Sequence, residues 1–163
     1  HALFVLGMKI KQMTDRMKKL FIINDRIDLM LALNADGVHL GQEDLSIKLA
    51  RNMIKDKSKF IGCSTHSLKQ AHAAAKEGAD YIGFGPIFET PTKPTYQPVG
   101  IDSIKKVVHH LKIPVVCIGG IDQSNTKTVL KAGATRIAVV RAIFSSEHPF
   151  HAARELKRMI SNG

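Results

Sequence analysis

Tryptophan is absent from this 163-residue chain, and phenylalanine and tyrosine together reach only 6%. Proteins that stack on single-stranded RNA need aromatic platforms, and neither an RNP-type aromatic pattern nor a Cys/His finger occurs, so nucleic acid is not an expected partner. Cysteine is nearly absent too. Cys63 and Cys117 are the whole complement, outside any CxxC pattern, which leaves no basis for a disulfide framework or a thiolate metal knot. Both fall inside apolar runs and read as buried free thiols of a reducing compartment, which points to the cytoplasm. No apolar stretch approaches the roughly 20 residues needed to cross a bilayer, so no membrane partner is expected. The opening HALFVLGMKIKQ has no basic lead-in and no cleavage site and does not read as a signal peptide.

Acids are scarce as well. Asp and Glu number 14 against 24 Lys and Arg, a formal net charge of +10 (24 − 14). The cations gather at Lys9–Lys19, Lys48–Lys59 and Lys105–Lys112, mostly on helix-like segments where they form solvated faces. Their summed field also draws in anionic substrates such as phosphate esters. At 163 residues, 44% hydrophobic and 23% charged, the chain is sized for a single domain over residues 1–163. A homo-oligomer is compatible with these features.

Short apolar runs at 20–24, 37–40, 60–64, 81–85, 114–118 and 136–140 alternate with amphipathic stretches at 26–33, 46–55, 67–77, 101–111, 123–132 and 148–160. Three phrases, NADGVHLG, EGADYIGFG and KAGATRIAVV, repeat one design of helix end, small-residue turn and buried strand. Ser67 or Thr65 suits the start of the third helix, and Gly78 and Gly133 sit where helices should stop. This is βα repetition, which builds a parallel sheet. With no switch in the pattern, a TIM (β/α)₈ barrel fits better than a doubly wound sheet. Six units fall short of eight, and such a barrel usually takes about 250 residues. Residues 1–19 therefore hold a degenerate unit, or the first strands are missing; the opening residue is His rather than Met.

In a parallel sheet the C-terminal strand ends gather on one face, and catalytic groups collect there. Two of the few acids, Asp25 and Asp44, follow the first two runs, and a pair of carboxylates can hold a hard cation such as Mg²⁺. Ser64-Thr65-His66 follow the third run. GPIFETPTKP, with Thr90, Thr92 and Lys93, follows the fourth and has the makings of an anion clamp. Gly119-Gly120 follow the fifth, and after the sixth Val140 and Arg141 lead into a short helix, a pattern suited to phosphate. His39, His66 and the pair His109-His110 read as structural or surface residues.

Taken together, INDRIDLMLALNADGVHLGQEDLS, IGCSTHS, GADYIGFGPIFETPTKP, IPVVCIGGID and AGATRIAVVRAIF resemble the thiamine-phosphate synthase and thiazole tautomerase family, from about residue 19 to the C-terminus. That resemblance implies a TIM barrel that joins a hydroxymethylpyrimidine diphosphate to a thiazole phosphate, forming thiamine phosphate and releasing pyrophosphate. It implies Mg²⁺ on Asp25 and Asp44, with Asn24, Ser64 and Lys93 facing the pyrimidine diphosphate and Ser64 and Lys93 as catalytic groups. The thiazole phosphate is implied to lie against Thr90, Thr92, Gly120, Val140 and Arg141.

Two departures accompany it. The family's Q-x-R-x-K motif is absent, so the first strand, first helix and second strand are expected to be missing and the domain incomplete at its N-terminus. Weak activity is the expectation for the chain alone. Arg141 also stands where some members carry serine, a minor change because the contact runs through backbone. The alternatives are a tautomerase-like protein, which would carry a histidine where this chain has Pro86, and a non-catalytic remnant that binds thiazole phosphate.

Overall fold

The structure is a computed structural model, describing residues 1–161. A first helix, α1 (Ala2–Arg16), is followed by six βα units. The strands are β1 (Ile22–Asn24), β2 (Gly37–Leu40), β3 (Phe60–Thr65), β4 (Tyr81–Phe84), β5 (Val115–Ile118) and β6 (Ile137–Ala138). The helices between and after them are α2 (Ile27–Ala32), α3 (Ile47–Met53), α4 (Leu68–Glu77), α5 (Asp102–His110), α6 (Thr126–Lys131), α7 (Arg141–Phe144) and α8 (Pro149–Ser161). All strand pairs are parallel, and the sheet order is β1-β2-β3-β4-β5-β6. A doubly wound sheet reverses its order at a switch point. This one never does, so the topology is that of a barrel wall.

Two expectations are corrected in detail. The sheet does not close on itself: among the described residues β1 pairs only with β2, and β6 only with β5. Residues 1–19 contribute no strand but a helix. Its Gly7 is buried against α2, where an added Cβ would fall 2.4 Å from Leu33 Cδ1. The apolar opening thus serves helix packing, although Leu3, Leu6, Met8 and Met13 on α1 remain exposed.

Period-2 alternation sorts each strand between two surroundings. Ile23, Val38, Leu40, Ile61, Cys63, Ile82, Phe84, Val115 and Cys117 point under the helices and form the core with Met30, Ile104, Val107 and Val129. The intervening residues face the other way, onto the concave side of the sheet. Helix ends follow local chemistry. Ser67 caps α4 by accepting from the Gln70 N–H, and Gly78 takes the left-handed conformation (φ 96°) at its end. Thr65, the other candidate cap, instead donates to the Gly83 carbonyl across β3–β4.

The repeated Asp of NAD and GAD pins each strand to its neighbour. Asp36 Oδ2 accepts from the Phe21 N–H at 2.8 Å, and Asp80 Oδ2 accepts from the Ile61 N–H at 2.6 Å. Asp80 also pairs with Arg51 at 2.7 Å. Among the described residues no helix is long and apolar enough to cross a membrane.

Both cysteines are buried and free, as their place in strands implied. Burial pushes the Cys117 thiol up to about 11 from an ordinary 9.0, because the thiolate would sit dry under the helices. A raised folded value means the native state holds its proton after the unfolded chain has lost it. Stability from this group is therefore complete below pH 9.0 and lost as pH rises through about 11. Urea unfolding at pH 8 and pH 11 should show a loss of about 2–3 kcal/mol from this source, and Cys117→Ala should flatten the slope.

Candidate active site

The concave face of the sheet, roofed by the loops at the strand C-termini, encloses a cavity of about 700 Å³. Asn24, Ser64, Thr90, Thr92, Lys93, Gly120, Val140 and Arg141, all expected at the site, line it. Asp25 and Asp44 are not among the wall residues. They stand at its margin, next to the lining residues Asn24 and Gly41.

Asp25 occupies the left-handed region (φ 63°), with its N–H donating to the His39 carbonyl at 2.9 Å. That turn ends β1 and swings the carboxylate toward the loop after β2. There Asp44 Oδ2 accepts from the Gly41 N–H at 2.7 Å, closing a tight turn. Partial burial pushes the Asp25 carboxyl up, and the neighbouring Asp44 carboxylate adds to the shift; the Lys93 charge pulls it back. Two acids and one lysine from three separate loops are thus within electrostatic reach of one another. The donor set is hard oxygen, and among the described residues no third His, Cys, Asp or Glu joins it. Such a pair suits Mg²⁺, which keeps several waters and takes further ligands from substrate phosphates.

The loop after β4 is tied to the end of β5 by backbone bonds. Ile87 N–H donates to the Ile118 carbonyl at 2.8 Å, Phe88 N–H to the Gly119 carbonyl at 3.2 Å, and Val99 N–H returns to the Pro86 carbonyl at 2.8 Å. Gly119 and Gly120 both have positive φ, 88° and 65°. The first has no room for a side chain, since a Cβ would lie 2.3 Å from Pro86 Cβ. Asn125 Nδ2 holds the Gly120 carbonyl at 2.9 Å. Farther out, Tyr96 stacks on His66 with ring centroids 4.0 Å apart.

The sequence reading missed part of the wall. His39 and His66, read as structural or surface residues, both line the cavity, as do Gln42, Glu89, Tyr96, Asp122 and Ser145. For His39 a signal existed: alternation sets it opposite Val38 and Leu40, which belong to the core. Burial pushes its imidazole below the ordinary value, with the Asp44 charge opposing. Gln42 Nε2 holds the Ser64 carbonyl at 2.5 Å. His109 and His110 are exposed at the end of α5, as expected.

Known proteins resemble this chain in sequence and in fold. The family model described as thiamine monophosphate synthase matches residues 1–143. The chain belongs to that family. The thiamine-phosphate synthase of Chloroflexus aurantiacus is 44% identical over 156 residues, covering 95% of this chain and 71% of the relative. That of Thermosynechococcus vestitus is also 44% identical, covering 100% of this chain but 46% of the relative. The chain therefore spans about seven-tenths of one relative and under half of the other. The solved structure of thiamine phosphate pyrophosphorylase from Pyrococcus furiosus superposes with a TM-score of 0.92 at 38% identity, over 99% of this chain and 77% of that one. Family membership places this chain among proteins of the thiamine-phosphate synthase type, and the strand-end cavity is its candidate active site.

The Gly119 turn holds both walls of that site. Gly119→Ala should cost roughly 2–5 kcal/mol, from the positive φ and the crowding against Pro86 together. A lowered urea midpoint checks it; wild-type stability would show that the loop after β4 can yield.

Proposed function

We propose that the chain condenses 4-amino-2-methyl-5-hydroxymethylpyrimidine diphosphate with 4-methyl-5-(2-phosphoethyl)thiazole, giving thiamine phosphate and pyrophosphate, or with its carboxylated form, which also loses CO₂ and takes up a proton at the vacated ring carbon. The observation that carries this reading is that Asp25, Asp44 and Lys93 lie within electrostatic reach of one another at the margin of a cavity that Gly120, Val140 and Arg141 also line. Two anionic groups need two cationic or N–H-rich ends, and the net charge of +10 favours their capture.

In this proposal Asp25 and Asp44 hold Mg²⁺, which when bound neutralises diphosphate charge. Lys93 and Ser64 bind diphosphate oxygens, and Asn24 orients the pyrimidine beside them. The bond between the pyrimidine methylene and the diphosphate oxygen breaks, and its electron pair leaves with pyrophosphate. The methylene cation, delocalised by the ring amino group, is captured by the thiazole nitrogen. With the uncarboxylated thiazole no proton need move, so positioning and charge stabilisation dominate. Thr90, Thr92, Gly120 and the backbone of Val140 and Arg141 seat the thiazole phosphate. Pro86 supports the synthase reading over the tautomerase one, because it offers no acid or base at that point of the wall.

Residues 1–163 contain no Q-x-R-x-K motif, and among the described residues the sheet edges at β1 and β6 are unpaired, so slow turnover is proposed for these residues by themselves. Thiamine phosphate formation by the purified chain is the direct test, and turnover matching a full-length relative would contradict the slow-turnover proposal. Asp25→Asn and Asp44→Asn should each lower kcat/KM on the order of 10²-fold. In calorimetric titrations the diphosphate should bind only with Mg²⁺, and the thiazole phosphate with or without it. Binding of the thiazole phosphate alone, under all conditions, would instead indicate a non-catalytic binder.

A further inference from the structure

Two cavity-lining side chains, His39 and Tyr81, are left without a role by the proposed reaction. His39 on β2 is in register with Gly62 on β3, and Gly62 with Tyr81 on β4. The absent side chain at position 62 lets the two rings approach across the middle strand, with centroids 5.4 Å apart. A Cβ at Gly62 would fall 2.1 Å from Tyr81 Cζ and 2.4 Å from its hydroxyl oxygen. One residue row higher, Ser64 is in register with Gly83, where a Cβ would come 3.3 Å from His39 Cε1 and 3.4 Å from Nε2. Two glycines thus clear the floor on which both rings lie. On it, His39 Nδ1 is 3.1 Å from the Tyr81 hydroxyl and Nε2 is 2.9 Å from Ser64 Oγ.

We propose that Tyr81 and His39 are positioning residues that make the Ser64 hydroxyl a hydrogen-bond donor aimed into the cavity, toward oxygens of the anionic substrate. The assignment rests on the transferase reading above. In a neutral imidazole one ring nitrogen donates and the other accepts. A phenol is a stronger donor than acceptor, since its lone pair is drawn into the ring, whereas a bare imidazole nitrogen is a strong acceptor. Among the described residues the Tyr81 hydroxyl has no other hydrogen-bond partner, so its proton goes to Nδ1. The ring proton then sits on Nε2 and is donated to Ser64 Oγ.

With Oγ accepting from His39, the serine proton is turned away from the ring. Ser64 lines the cavity, and among the described residues His39 is the one recorded partner of its hydroxyl. The reverse arrangement, Nδ1–H donating to Tyr81, would use the phenol in its weaker role as acceptor. It would also make Nε2 a base for Ser64, the layout of an activated nucleophile. The two directions give opposite chemistries, and the phenol decides for the donor.

Nitrogen-15 NMR of the histidine-labelled chain reads the direction without substrate. A pyridine-type Nδ1 and a protonated Nε2 on His39 are expected; a bare Nε2 or a doubly protonated ring overturns the proposal. Kinetics test whether the row acts through Ser64. Tyr81→Phe should lower kcat about tenfold, the worth of one hydrogen bond, with KM for the thiazole phosphate unchanged. In a Ser64→Ala background the same change should have no further effect, while additive losses would mean that Tyr81 acts elsewhere. His39→Gln, whose amide N–H can replace Nε2–H, should retain more activity than His39→Leu at equal folded stability. The stated tautomer in a chain without turnover would support the row and count against the transferase reading alone.

Discussion

The register of the parallel ladder is the constraint on which the rest of this molecule depends. Pairing Val38 with Ile61, Cys63 with Ile82 and Phe84 with Cys117 sends apolar side chains under the helices. The same pairing sends Asn24, His39, Ser64 and Tyr81 to the concave side. A slip of one residue in any strand would exchange those sets and bury polar groups without partners. Asp36 and Asp80 guard against it, each clasping a backbone N–H at the start of a neighbouring strand, that of Phe21 just before β1 and that of Ile61 in β3. Nothing about the cavity is set independently of the core, since both are read from the same alternation.

Charge is distributed with similar economy. The surface carries a large cationic excess, yet the two acids at the cavity margin face each other instead of pairing with arginines. Their repulsion is an arrangement that a bound cation relieves. Other carboxylates are spent on structure: Asp80 on Arg51 and the β3 backbone, Asp122 on the Ser124 turn, which holds its carboxyl below the usual range. A residue type that stabilises a fold when paired becomes available to a ligand when left with a like-charged neighbour.

Much of this was legible in the sequence, for identifiable reasons. All six strands were, because a parallel strand under helices reads as a continuous apolar run, and so were the stops at Gly78 and Gly133, because a left-handed residue selects glycine. That Ser64, Lys93 and Gly120 line the cavity was legible from their place at strand ends, and Asn24 from the family resemblance. The helix over Ala2–Arg16 was not, since its apolar residues lie on more than one face and lack a clear start signal. His39 was passed over because a lone histidine in an apolar run usually packs as core. What distinguishes it is Gly62, a residue of a different strand, and no reading of one segment at a time reveals that relation.

The aspartate clasps have one more consequence, for the order in which the chain can fold. Each joins residues only 15 or 19 positions apart, and each strand pairs only with its neighbours in sequence. Loop closure over such spans is entropically modest, so a β-strand can be seated as soon as its own helix has formed. A doubly wound sheet must instead wait for distant strands to meet at its centre. Here assembly can proceed along the chain one unit at a time, each completed clasp presenting a finished edge as the template for the next.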